Sequence, residues 1–265
     1  MAEISAALVK ELRERTGAGM MDCKRALQET NGDMESAIVL LRERGMAQAA
    51  KRAGRETTEG KVGYRLADDG RKGTMVAVGC ETEPVSNNDE FLAYAKDVLE
   101  AVDASGVGAE SSLEDRRVEL SAKLGENIVV RGIVRYEGEE DDVLAGYVHP
   151  PAHKIGVLIH GKGNPDIARL LAQHIAWADP LYLTQEDVPE AELDAEREIL
   201  SKQPDVASKP EAVRAKIVEG RIQKWLAERV LDDQQWIHDS SKTVGQEMGE
   251  AGFSLIEFRR FALAE

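Results

Sequence analysis

Four groups of residues carry side chains of the kind chemistry needs. Glu81, Glu83 and Asp89 place three carboxylates within nine residues, a density suited to acid–base work and equally to the positive end of a helix. His149 and His153 are four apart, the spacing at which two imidazoles on one helical face hold zinc. Pro150 and Pro151 between them forbid that helix, and a polar hairpin loop is expected instead. Gly161-Lys162-Gly163-Asn164 has a phosphate-loop flavour but lacks the Gly-Lys-Ser/Thr spacing, and reads as a strand-to-helix turn. Cys23 and Cys80 are the only two cysteines, too few for a disulfide framework or a zinc site, and read as small buried apolar groups. No nucleophile with a base and an orienter can be assembled from the spacing. No catalytic residue, metal ligand or cofactor is therefore assigned, and the chain is expected to work by binding.

The periodicity says what must hold these groups. Lys61-Val62-Gly63-Tyr64-Arg65-Leu66 alternates, Asp68-Asp69-Gly70 turns, and Thr74-Met75-Val76-Ala77-Val78 is a second strand. This hairpin runs into Glu81–Asn88, and a helix follows with Phe91, Ala95, Val98 and Val102 on one face. The order then returns. Leu144-Ala145-Gly146-Tyr147-Val148 aligns its Gly-Tyr pair with Gly63-Tyr64, and Lys154–Ile159 echoes Lys72–Ala77. A helix with Ile167, Leu170, Leu171, His174 and Ile175 as its inner stripe comes next. Two strand–turn–strand–helix units suggest an internal duplication; convergence on common hairpin chemistry is the competing source of the similarity. Between the units, Leu113–Leu124 reads as a helix and Asn127–Tyr136 as a strand.

Past Asp187-Val188-Pro189 the pattern is helical. Leu193, Glu196 and Leu200 lie in one row, and Val218, Ile222, Trp225, Leu226 and Val230 in another. Joined through Gln203-Pro204-Asp205, they predict an antiparallel hairpin whose longer arm reaches roughly 30 Å at ~1.5 Å per residue. Neither arm has the heptads of an isolated coiled coil, so the base must be anchored in a globular body. The Gln203–Pro210 tip is expected to be exposed. Ser240–Gly245 opens a short helix, and Leu255–Phe261 reads as a closing strand.

The first part of the chain is different. Ile4, Leu8 and Leu12 repeat every four residues, Thr16-Gly17 stops that helix, and Met20, Lys24 and Leu27 restart the spacing. After Asn31-Gly32, Asp33 caps a third helix with Ile38 and Leu41 inside, which Gly45 is expected to end. Lys51–Gly60 reads as a polar linker. Through Arg55 the chain holds ten Lys and Arg against eight Asp and Glu, so the head is mildly basic although the chain carries −15. An acidic body is repelled by phosphate backbones, so nucleic acid is not an expected direct partner. A basic head on an acidic body suits docking to another protein. No apolar run approaches the ~20 residues that span a bilayer. The start, with Glu3, has no signal or transit pattern, and a cytoplasmic location is expected.

The string Leu12-Arg13-Glu14-Arg15-Thr16-Gly17-Ala18-Gly19-Met20-Met21-Asp22-Cys23-Lys24-Arg25-Ala26-Leu27 resembles the amino-terminal ubiquitin-associated-like module of bacterial translation elongation factor Ts. Further strings look like the same family and occur in its order over nearly the whole chain: Gly125–Ile128, His149 with Ile155–Leu158, Lys216–Arg221 and Ser241–Gln246. The resemblance implies an α+β fold with three parts. They are a helical head at 1–52, two core subdomains with small antiparallel sheets at 53–140 and 141–265, and a protruding helical hairpin at about 189–231. It also implies a guanine nucleotide exchange factor for elongation factor Tu, met in its GDP-bound and nucleotide-free forms.

In that family a loop reading Thr-Asp-Phe-Val disturbs the Mg²⁺ site of the GTPase. The matching residues here are Thr82, Glu83, Pro84 and Val85. Glu83 keeps the carboxylate on a longer arm, and Pro84 stands where the family inserts an aromatic ring. Burying a Phe is worth about 1.5–3 kcal/mol, and Pro supplies less. In the head, Leu12, Arg13, Thr16, Gly17, Gly19 and Met20 are the implied contacts, with His149 a further one. Longer members carry an additional helical tail that is not expected here. Three other readings compete with the exchange factor. One is a paralogue that binds elongation factor Tu with weak or no exchange. Another is an adaptor acting through the head alone, and the last is a hydrolase built on the histidines and carboxylates.

Overall fold

The computed structural model describes residues 4–264; Met1, Ala2, Glu3 and Glu265 lie outside them, and with them the expectation placed on Glu3. Helix α1 (Ala6–Thr16) starts where the Ser5 hydroxyl accepts the Leu8 N–H. It stops at Gly17, whose φ of 66° closes the last turn onto Arg13 O. Helices α2 (Met20–Glu29) and α3 (Met34–Arg52) complete the head around Leu12, Cys23, Ala26, Leu27 and Ala37, all fully buried. Asp33 caps α3 as its position predicts, accepting the Ser36 N–H at 2.7 Å.

Gly45 does not end α3; the helix runs on to Arg52. The reason is tertiary. A methyl group at Gly45 would come within 2.9 Å of Ala122 on α6 (Glu114–Leu124), so this glycine lets two helices touch. Arg42 reaches Asp115 and Glu119, and Arg52 donates to Ser121 O at 3.3 Å. The head is thus seated on α6.

The body is four layers. Strands β1 (Glu59–Leu66), β2 (Lys72–Cys80) and β3 (Val129–Glu137) form one antiparallel sheet in the order β1-β2-β3. Strands β4 (Asp142–Val148), β5 (Ile155–Gly163) and β6 (Phe253–Ala262) form the second, in the order β4-β5-β6. The sheets meet face to face through Val62, Met75, Ala77, Leu144 and Leu158. On the outer face of the first sheet, Val76, Val78 and Cys80 pack against Phe91, Tyr94 and Val98 of α5 (Asp89–Ser105) and Leu120 of α6. On the outer face of the second, Val157 and Ile159 pack against Ile167, Leu171 and Ile175 of α7 (Pro165–Ala178) and Met248 of α11 (Val244–Ala251). The central strands β2 and β5 are buried on both sides, which is why each reads as an unbroken apolar run rather than an alternation.

The Gly-Tyr match between the units preserves strand pairing but not facing. Gly63 looks toward Leu99 on α5, whereas a side chain at Gly146 would run into the Tyr64 ring across the sheet interface. Met75 likewise lies between the sheets while its counterpart Val157 faces α7. A shift of one residue exchanges the two faces of a strand. The similarity therefore pairs positions that do opposite jobs.

Between α7 and α11 lie α8 (Glu190–Lys202), the single turn α9 (Pro204–Ala207) and α10 (Glu211–Arg229). Leu193, Leu200, Val218, Ile222, Trp225, Leu226 and Val230 share one cluster, as the two rows predict. Most of the tip is exposed as expected, but Val206 is fully buried, with Arg221 reaching back to Gln203 and Asp205 around it.

Candidate functional site

Strand β2 leaves the sheet at Cys80 and enters a hydrogen-bonded clasp. The Glu81 and Thr82 N–H groups donate to Glu126 Oε2 at 3.0 and 3.1 Å, and the Thr82 hydroxyl donates to Glu126 Oε1. In the other direction the Glu81 carboxylate accepts the Asn127 N–H at 2.6 Å. The Asn127 amide donates to Arg55 O at 2.9 Å, and the Arg55 guanidinium lies over Glu81. The Cys80 thiol donates to Thr82 O at 3.4 Å; burial, with Glu126 nearby, pushes it up to about 12, so it stays an inert thiol.

The predicted loop Thr82–Val85 is a single helical turn, α4 (Glu83–Ser86). A residue ahead of proline favours extended backbone, yet Glu83 is the first helical residue. Pro84 fits because the N–H it lacks belongs to the first turn, where no intrahelical acceptor exists. Thr82 sits at the N-cap yet makes no capping bond, its hydroxyl being held by Glu126. The far side is pinned as well. The Ser86 hydroxyl and the Asn87 amide donate to Glu83 O at 2.8 and 3.1 Å, and Asn88 caps α5. Val85 is half-buried against the core, whereas Thr82, Glu83 and Pro84 are exposed. Among the described residues the Glu83 carboxylate has no hydrogen bond or ion pair.

The three carboxylates thus separate by use. Glu81 braces the backbone, Asp89 opens α5 where the helix dipole favours it, and Glu83 faces solvent unpaired.

His149 is exposed, its Nδ1 2.9 Å from the Tyr147 hydroxyl. Its loop is no helix: the Pro150–Pro151 peptide is cis, and His153 has φ 58°. His149 and His153 therefore share no metal-binding face, and among the described residues no three or more His, Cys, Asp or Glu side chains are grouped so that they could hold a metal ion. The loop leans on the first sheet instead. Val62 N–H donates to His153 O at 2.7 Å and Lys61 Nζ to Ala152 O at 3.0 Å. Beside it opens a groove of about 1260 Å³ lined by Tyr147, His149, Trp177 and Trp236. The Gly161–Asn164 stretch is the end of β5 and the cap of α7, where Asn164 accepts the Asp166 N–H at 3.0 Å.

The family profile described as Elongation factor TS matches residues 81–265, beginning at the first residue of the clasp. Curated proteins named Elongation factor Ts align along nearly the whole chain. The one from Thioalkalivibrio sulfidiphilus is 42% identical over 99% of this chain and 92% of its own length. That from Paramagnetospirillum magneticum is 42% identical over 100% and 93%, and that from Clostridium acetobutylicum 40% over 99% and 93%. The chain belongs to the elongation factor Ts family. Its members are translation elongation factors, and no described helix is long and apolar enough to cross a membrane.

The head residues that the elongation factor Ts resemblance implied as contacts divide between surface and support. Leu12 is fully buried in the head core and reaches no surface, a correction that its place on the inner face of α1 explains. Thr16 turns its hydroxyl back to Leu12 O at 2.7 Å, and Gly17 supplies the left-handed turn. Arg13, Gly19 and Met20 are exposed, together with Met21 and Met46, which sequence reasoning passed over. It also missed Arg55, Glu126 and Asn127. The Gly125–Ile128 string pointed at two of these, but nothing local said what the Glu126 carboxylate would hold.

Proposed function

We propose that the protein is a guanine nucleotide exchange factor for elongation factor Tu. It binds the GDP-loaded GTPase, disturbs the Mg²⁺ and phosphate site so that GDP leaves, and holds the nucleotide-free form. Family membership supports the partner, and one observation supports the mechanism: an exposed, unpaired carboxylate rides on a braced turn at the end of a strand buried on both faces.

No covalent chemistry is required. A factor that binds the empty GTPase more tightly than the loaded one must weaken nucleotide binding by the same factor. A GTPase holds its phosphates through backbone amides, a lysine and Mg²⁺; a carboxylate at close range competes with the phosphates for these positive groups and repels the phosphates themselves. Glu83 supplies that charge, and Thr82, Pro84 and Val85 its stiff mount. Arg13, Gly19 and Met20 on the ubiquitin-associated-like head, with His149 on the body, supply contacts that steady the complex. The helices α8 and α10 form a hairpin that extends this surface. The net charge of −15 argues against direct nucleic-acid binding, and the site of action is the cytoplasm.

Release of fluorescently labelled GDP from elongation factor Tu tests the reading: the protein should accelerate it at substoichiometric amounts. Pro84 in place of an aromatic ring motivates the second reading, a paralogue that binds without exchange. A stable complex whose GDP release stays at the unassisted rate would establish that one instead.

A further inference from the structure

We propose that Glu126 is a positioning residue for nucleotide exchange, holding the Thr82–Val85 turn in its projecting geometry without itself touching the partner. The inference rests on the exchange reading above. Its carboxylate, 44 residues from Thr82 in sequence, takes three hydrogen bonds from the two residues that link β2 to α4. Both backbone amides at the strand exit point at one oxygen, and the Thr82 hydroxyl takes the other.

That last bond has a visible consequence. A threonine at an N-cap ordinarily turns its oxygen onto the first helical N–H groups. Here the hydroxyl is drawn away, and α4 starts without a side-chain cap. The turn therefore takes its orientation from Glu126 rather than from its own capping. Glu126 is itself anchored: the Ser121 hydroxyl donates to its backbone carbonyl, and the neighbouring Asn127 side chain is buried and bound to Arg55. Charge-assisted bonds to backbone N–H groups are among the stronger hydrogen bonds, and three on one carboxylate define a direction as well as a distance.

The variants E126A and E126Q separate positioning from other roles. Glutamine keeps an oxygen for the two amides and can donate its NH₂ to the Thr82 oxygen, but carries no charge. Backbone amide hydrogen exchange at Glu81 and Thr82 in the free protein should speed up at least ~10-fold in E126A and remain near wild type in E126Q. GDP release at saturating protein should fall roughly 10- to 100-fold in E126A, the effect expected of an ångström-scale misplacement. Its half-saturating concentration should stay within about twofold, and E126Q should recover most of the rate.

An E126A variant with the wild-type saturating rate overturns the proposal. So does an E126Q variant as slow as E126A, which would mean that the charge acts on the partner directly. A rise in half-saturation alone overturns it too, by assigning the clasp to binding. Should E126A fail to fold, E126D carries the same test, since its shorter arm withdraws the acceptor from both amides. Wild-type protein that binds without accelerating release sinks the exchange reading and this inference together; active wild type with an unchanged E126A sinks only the inference.

Discussion

The two sheets are built alike and end differently. In each, a central strand buried on both faces runs out beneath a helix. In the second sheet the exit is immediate: β5 passes through Gly163, φ 105°, to Asn164, which caps α7, and no residue is left over. In the first, eight residues separate Cys80 from Asp89, and they form the clasp and the exposed turn. The body thus carries one closed exit and one open one, and the candidate site is the open one. The second sheet places its extra residues elsewhere, between α7 and α11, as a pair of helices. Where two sheets are built alike, the site follows the connection rather than the strands.

The sharpest way to break this comparison is to test which way the matched glycines face. G146A should lower unfolding free energy by about 2–3 kcal/mol, because the added methyl meets the Tyr64 ring between the sheets. G63A should change it by less than about 0.5 kcal/mol, since the nearest atom, Leu99 Cδ2, is 3.8 Å away at ordinary contact. Chemical denaturation of both variants decides it; equal losses would restore the match as a true equivalence.

The open exit is tested next. E83A should slow GDP release by about tenfold, or ~1.4 kcal/mol of barrier. P84A should slow it by less than about threefold, and P84F should match or exceed wild type. Stopped-flow release of labelled GDP compares the three. If both alanine variants run at the wild-type rate, the disturbing element lies elsewhere, with the His149 loop the next suspect.

The helical pair gives a smaller effect. V206A should cost about 1 kcal/mol although Val206 sits in the connecting turn, because its side chain is fully enclosed. Thermal melts that match wild type would return the tip to a solvated loop.

The smallest effect belongs to the second sheet's polar cluster. Both ring nitrogens of His160 face carboxylates, Nε2 to Asp142 at 2.7 Å and Nδ1 to Glu257 at 3.2 Å, with Lys162 on Asp142 and the Tyr136 ring alongside. Burial pushes the imidazole down, but the hydrogen bonds to Asp142 and Glu257 outweigh it and hold it above its ordinary value. Asp142 is held down at about 2, first by His160 and then by the Glu139 N–H. The histidine's contribution is full below pH ~6.5 and is lost as pH rises through its raised value; that of Asp142 is present above ~3.8 and lost on acidification toward its lowered one. As pH rises above ~6.5 the wild-type melting temperature should therefore fall more steeply than that of H160Q. Parallel curves would remove the cluster from the stability of the second sheet.

What the sequence shows well is what short-range periodicity encodes. The apolar runs of β2 and β5, the stripes of α5 and α10, and the cap at Asp33 lie where spacing and residue type put them, whereas Leu170, read as part of the inner stripe of α7, is exposed. What it conceals depends on partners far along the chain. Gly45 carries the same letter whether it stops a helix or admits Ala122, which is 77 residues away. Glu126 reads as one more carboxylate until the strand exit 44 residues earlier is brought to it. Gly63 and Gly146 share a neighbour and a pairing position, and only the packed sheets reveal that they face apart. Residues 82–85 were found by resemblance; that they form a helical turn, with one side chain left free, comes from the fold.

The His149 loop is hydrogen-bonded to Lys61 and Val62 on β1, and those residues pair with Val78 and Ala77 on β2, the strand that carries the turn. The distance from His149 to Glu83 is thereby set by one sheet with no hinge between them. Two points at a fixed spacing act as a gauge. On the exchange reading, a partner whose two docking points move relative to each other as nucleotide leaves fits that spacing in one state only. Engaging both points at once then rewards that state over every other. The protein would recognise its target by measuring a length.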